Sequence, residues 1–302
     1  MAKKRNKAIS AVMRAASIIG LAAGLCVLAW PSWSEWQAQK AAESVITQFE
    51  DAVGDDETRD WWMRQAEAYN ASLIGAPYDL GEELLSYDDQ LSWKGKPYMG
   101  WIHIPSISLK LPIYHGTADD ALAMGVGHLE GRSLPVGGEG SLCVLEGHSG
   151  LQTARMFDDL RRLDAGSNIC IWTLGEPFAY RVYDWGIYDP DDMHLVLSWK
   201  GEGDTLALVT CTTTPDAANP KGKLGVNDKR LVMWCEHVEY DESLFAEPET
   251  AVEAVVENTR MWPGLAAFAI GAAVLAVAVL SMPHRRKKGS AAGTASNSAP
   301  EP

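Results

Sequence analysis

The sequence predicts a mainly-β domain, a barrel or a sandwich, behind a helical N-terminal extension and between two membrane spans. Three observations carry this. Short apolar, β-branched and aromatic runs recur from Met99 to Val238 with Gly and Pro turns between them. Before them, apolar residues recur at helical spacing. At both chain ends a stretch of about 20 apolar residues, enough to cross a bilayer, adjoins a cluster of bases.

Residues 1–7 form a basic tail, with Lys3, Lys4, Arg5 and Lys7, and the first span covers residues 8–30, broken only by Arg14 and a few Ser. A cleaved signal peptide has a similar profile. The apolar run passes into a long helical segment with no evident processing site, which favours retention. Residues 31–74 form the helical extension. Asp55-Asp56-Glu57 opens its second helix, where acids meet the positive end of the dipole, and Trp62, Ala66, Tyr69 and Leu73 give it one apolar face. Residues 75–98 are punctuated by Gly75, Pro77, Gly81, Gly95 and Pro97, and read as a loop or flap.

The strand-like segments are Trp101–Ile104, Leu109–Tyr114, Ser141–Leu145, Asn168–Thr173, Ala179–Tyr188, Thr205–Cys211 and Arg230–Val238. One helix is expected among them, capped by Thr153, with Met156, Leu160 and Leu163 as its apolar stripe and Gly166 at its end. Residues 99–240 make the β domain and 241–260 an acidic stalk. The second span is 261–282, followed by a basic, then Ala/Ser/Pro-rich, disordered tail over 283–302.

The net charge is −14, from 26 bases and 40 acids. Without the terminal bases and Glu301, residues 31–260 hold 17 bases and 39 acids, a net of about −22. Such a surface repels phosphate backbones and argues against a nucleic-acid partner. The bases lie on the outer side of each span, so the positive-inside rule places both termini in the cytoplasm and the β domain outside. The five cysteines are Cys26, Cys143, Cys170, Cys211 and Cys235. They show neither a CxxC pair nor metal-ligand spacing. Small buried hydrophobes are the ordinary reading of such thiols.

Three short motifs carry candidate chemistry. In Glu146-Gly147-His148-Ser149-Gly150, an imidazole follows a buried strand and is framed by glycines. In Leu208-Val209-Thr210-Cys211-Thr212, a thiol ends a strand. In Val226-Asn227-Asp228-Lys229-Arg230-Leu231, a guanidinium begins one. A thiol attacks an amide as the thiolate, and its ordinary pKa near 8.5 is lowered by nearby positive charge. A His can donate a proton to a leaving amine near neutral pH, and an Arg stays charged and can face a developing oxyanion. His128 also follows a Gly and is the competing imidazole.

In family order, these motifs resemble those of the sortases. The stretches Pro112–Thr117, Gly127–Gly138 and Ala154–Leu160, the pair Tyr69-Asn70 and the second span look specifically like class C, the pilin-polymerising sortases. The resemblance implies a sortase-type closed β-barrel with short helices. It implies Cys211 as nucleophile, His148 as general acid/base, Arg230 as oxyanion or substrate stabiliser, and Thr210 and Thr212 as substrate contacts. The implied reaction cleaves an LPXTG-like sorting signal through a thioester and passes the acyl group to a pilin lysine. A cell-wall amine is the alternative acceptor, and an inactive pilin-binding scaffold the non-enzymatic one. The implied partners are pilin subunits and membrane lipid, and neither metal nor organic cofactor is implied. Ala76-Pro77-Tyr78 stands where class C members carry a lid with an Asp-Pro-aromatic motif, so Tyr78 is expected to cover Cys211. Residues 213–224 look like an insertion between Cys and Arg. Glu146 stands where a small residue is usual, and is expected to point away from the site.

Overall fold

The computed structural model describes residues 2–52, 54–92, 96–151, 153–198, 203–224 and 228–245. The expected second span, most of the stalk, the C-terminal tail and residues 225–227 of the arginine motif lie outside the described residues.

Helix α1 (Ala2–Ala52) runs unbroken through Pro31, so the expected span and the start of the extension share one helix. Among the described residues it contains the one stretch long and apolar enough to cross a membrane, within Ser17–Glu50. Further along, Ala42, Ile46 and Phe49 recur at helical spacing and are buried. Ile46 and Phe49 pack with Tyr98, Trp101, Tyr114 and Ala121.

Helix α2 (Asp56–Ile74) starts as expected, with the Asp55 carboxylate accepting from the Thr58 amide at 3.0 Å, and ends at Gly75 in the left-handed conformation. Trp62, Met63, Ala66 and Tyr69 lie on the main core. Its buried polar residues hold it in place. Asn70 Nδ2 donates to the carbonyls of Leu134 (3.1 Å) and Gly137 (3.2 Å), and its Oδ1 accepts from the Leu134 amide at 2.6 Å. Asn70→Ala would strand buried backbone groups, each worth roughly 1–3 kcal/mol. The expected result is a loss of about 3 kcal/mol in urea denaturation.

Eight strands close into a barrel in the order β1-β2-β3-β4-β7-β8-β6-β5. They are β1 (Tyr98–Ile104), β2 (Leu109–His115), β3 (Val126–His128), β4 (Leu142–Gly147), β5 (Asn168–Thr173), β6 (Glu176–Tyr188), β7 (Thr205–Thr212) and β8 (Lys229–Val238). The β2–β3 and β4–β7 pairs are parallel and the others antiparallel. The short helices α3 (Asp119–Met124) and α4 (Met193–Val196) lie in connections.

The helix expected from Thr153 to Gly166 is instead a single 3-10 turn, Asp158–Arg162, without a side-chain cap. The Phe157 amide donates to the His148 carbonyl at 2.9 Å, and Gly150 N donates to Asp158 Oδ1 at 2.6 Å. These bonds hold Phe157 and Asp158 against the end of β4. Met156, Leu160 and Leu163 are buried as a helix stripe would be.

His128 is a core residue. It is fully buried, its Nδ1 lies 3.0 Å from the Tyr87 hydroxyl, its Nε2 lies 2.8 Å from the Ser133 carbonyl, and the Tyr87 ring stacks on it. Burial pushes its pKa down to about 4. The unfolded chain therefore takes up a proton near pH 6.5 that the fold refuses until about pH 4. The contribution is intact above pH 6.5 and is lost as the pH falls through that window, on the order of 3 kcal/mol in all. Urea midpoints between pH 7.5 and 4.5 should fall less steeply for His128→Gln than for the wild type.

Candidate active site

The sheet is buried on both faces where β4, β7 and β8 meet. Cys143 and Leu145 of β4, Leu206 and Leu208 of β7, and Leu231, Met233 and Cys235 of β8 fill the barrel. Leu142 and Val144, Ala207 and Val209, and Val232 and Trp234 form the outer face. Side chains alternate along a strand, so Glu146, Cys211 and Arg230 also belong to the outer face.

Register brings the three motifs together. Cys211 stands directly opposite Arg230 on β8. On the other side of β7, Gly147 stands opposite Thr210, so His148 is the next residue along, level with Cys211. Neighbouring strands are about 4.8 Å apart. The imidazole, thiol and guanidinium therefore spring from three successive strand ends in one row, and all three residues are half-buried, open to an incoming chain.

Local packing explains the glycines. A Cβ on Gly147 would lie 2.6 Å from the Phe157 ring, and Gly150 takes φ +81°. Between them, the Ser149 hydroxyl donates to the Cys211 carbonyl at 2.5 Å, fastening the His148 turn to β7. Thr210 and Thr212 are buried and face inward. Thr210 Oγ1 donates to the Gly147 carbonyl at 2.7 Å and Thr212 Oγ1 to the Lys221 carbonyl at 2.9 Å. The hydroxyls expected to touch substrate thus brace the backbone on either side of Cys211.

The other thiols divide cleanly. Cys143, Cys170 and Cys235 are buried, and burial raises their pKa values, to about 12 for Cys170. They are core, as their lack of a motif indicated.

Residues 213–224 form a folded strap beside the site. Asp228 accepts from the Thr214 amide (3.0 Å) and hydroxyl (2.5 Å). The buried Lys221 ammonium donates to the Leu163 carbonyl and to Asp164 (2.6 Å), 5.1 Å from the centre of the Trp185 ring.

Tyr78 departs from expectation. Helix α2 ends near Gly140, whose Cβ position is 3.3 Å from Ile74, before the start of β4 and away from His148. The chain then turns at Gly81 and returns along α2. Trp61 Nε1 donates to Glu82 at 2.6 Å, and Gln65 bonds to Glu83 and Leu85. Pro77 and Tyr78 are exposed, Ala76 is half-buried, and Tyr78 has no hydrogen-bond or ring partner among the described residues. The segment is a strap along α2, and Tyr78 does not cover Cys211. The turn chemistry at Asp79–Gly81 sends it there.

Glu146 corrects a second expectation. It lies on the outer face with Cys211 and Arg230, half-buried. Burial pushes its carboxyl up from the ordinary carboxylate range, and the positive charge of Arg230 offsets part of that rise.

This fold matches that of known proteins. A family model described as "Sortase domain" fits residues 102–238. The solved structure of sortase C1 from Streptococcus agalactiae is 34% identical with a TM-score of 0.57, covering 66% of this chain and 100% of that one. The chain belongs to the sortase family. A sortase C from Streptococcus pneumoniae is similar at 32% identity and TM-score 0.55, covering 65% of this chain and 97% of that one. Sortase A of Bacillus anthracis is 28% identical over 158 residues, 52% of this chain and 70% of its own length. Sortases are cysteine transpeptidases, so the closed barrel and the class C likeness drawn from the motifs hold, and the chain is an enzyme of that kind.

Proposed function

We propose that this sortase cleaves an LPXTG-like sorting signal and joins the new carboxyl end to a pilin lysine, with Cys211 as nucleophile. The register that aligns His148, Cys211 and Arg230 on three adjacent strands carries this reading. Cys211 Sγ attacks the Thr–Gly carbonyl carbon as thiolate, and Arg230 stabilises the oxyanion. The Gly nitrogen leaves with a proton from His148, and a thioester remains. The lysine amine then attacks the thioester, His148 takes up its proton, and an isopeptide bond forms as the C–S bond breaks and Cys211 leaves as the thiolate. The apolar outer face beside the row, with Ala207 and Val209 as floor and Leu129, Met193 and Val196 at its edge, suits the Leu-Pro portion of such a signal.

The sortase C likeness supports a pilin acceptor over a cell-wall amine. The organisation that fits is a cytoplasmic tail (1–7), a span (8–30), a helical extension (31–74), a linker (75–98), the barrel (99–240), a stalk (241–260), a second span (261–282) and a cytoplasmic tail (283–302). The barrel then works outside the cell membrane, anchored in lipid. The test is to incubate the full chain with a sorting-signal peptide and look by mass spectrometry for the acyl adduct on Cys211, then add a lysine-bearing pilin peptide or a peptidoglycan-type amine in competition. An adduct resolved by the pilin lysine is the expected result. Resolution by the cell-wall amine alone would reassign the acceptor, and no adduct would leave a binding scaffold.

A further inference from the structure

Cys211 and Arg230 lie within strands, where ladder hydrogen bonds fix their backbones, but His148 is the first residue past the end of β4. Its place depends on bonds made from outside the sheet. Three such bonds hold residues 148–150. The His148 carbonyl accepts from the Phe157 amide at 2.9 Å, the Ser149 hydroxyl donates to the Cys211 carbonyl at 2.5 Å, and the Gly150 amide donates to Asp158 Oδ1 at 2.6 Å. The first two draw the turn onto the barrel and onto β7. The third closes its far side, and a carboxylate acceptor makes it a charge-assisted bond. Gly150 is exposed and takes φ +81°, and a glycine leaves such a conformation easily unless it is held.

Asp158 is itself firmly seated. Its neighbour Phe157 is fully buried with its ring against Gly147, and Leu160 is fully buried in the main core. The Asp158 amide donates to the Arg155 carbonyl at 2.7 Å, and its own carbonyl accepts from Arg161 Nη1 at 2.6 Å. The carboxylate thus projects from a rigid base toward the turn that carries the imidazole.

We infer that Asp158 is a positioning residue for His148, fixing through the Gly150 amide the turn that aims the imidazole at Cys211. It acts through that turn and touches no reacting atom. An imidazole moves a proton only within hydrogen-bond reach of it, and a misplacement of about 1 Å can cost on the order of 10²-fold. Water can replace the carboxylate at the exposed Gly150 amide, so its removal costs geometry more than stability.

The inference rests on the proposed reaction for its kinetic arm alone. In thioester formation, Asp158→Ala is expected to lower kcat about tenfold with KM little changed. Asp158→Asn keeps an oxygen for the Gly150 amide and is expected to recover most of the loss. In a His148→Ala background, Asp158→Ala is expected to cost nothing further. An equal loss in both backgrounds, no loss in either, or a loss that Asp158→Asn does not recover overturns the assignment. A second arm needs no turnover. In NMR spectra of the full chain with isotope-labelled histidine, Asp158→Ala is expected to shift the His148 ring signals, and Asp158→Asn to leave them near their wild-type positions. Ring signals unmoved by Asp158→Ala overturn the assignment. Absence of any wild-type thioester would sink the proposed reaction, and the ring signals would still judge the role of Asp158.

Discussion

Cys211→Ala is expected to abolish thioester formation and transfer, a loss of at least about 10³-fold, because no other group can carry the acyl chain. The fold should be untouched. Cys211 is half-buried at a strand end, its carbonyl still accepts from Ser149, and Thr210 and Thr212 still brace the backbone. The comparison therefore pairs peptide cleavage, read by chromatography, with the thermal melting midpoint. Undiminished cleavage with an unshifted melt would remove Cys211 from the reaction. The three buried thiols are poor substitutes, since burial keeps them protonated within the core.

Arg230→Lys is expected to cost about 10²-fold in kcat, in keeping with loss of an oxyanion donor. Charge is retained, so a purely long-range effect on the thiol would survive. What goes is the planar fork, which can meet two acceptors at once, whereas an ammonium is a compact and strongly hydrated point. KM should change little if the interaction forms only as negative charge develops on the carbonyl oxygen. A rise in KM at constant kcat would instead make Arg230 a binding contact. Steady-state kinetics on a quenched sorting-signal peptide separates the two.

The parts of this site that were legible in the sequence are those marked by composition. His148 between glycines, Cys211 closing an apolar run and Arg230 opening another all mark strand ends, and the structure puts them there. The side to which each residue points was hidden. In β4, β7 and β8 both faces are apolar, so a run such as Leu142-Cys143-Val144-Leu145 has no alternation to read. That is why neither the outward face of Glu146 nor the inward face of Thr210 and Thr212 is legible in the sequence. The three-residue strand Val126–His128 is too short to show a period. Met156, Leu160 and Leu163 imitate a helix because Phe157 draws its turn under Gly147, a long-range packing event that local spacing cannot express.

Cys211 and Arg230 face each other across an antiparallel pair, and the described part of the connection between them, residues 213–224, is the strap beside the site. Its length can drift while the two reactive ends stay in step, since closing a longer loop adds little entropy. The tip at Asp216–Asn219 is thus a natural graft point. A short epitope spliced there would ride beside the groove as a reporter of occupancy.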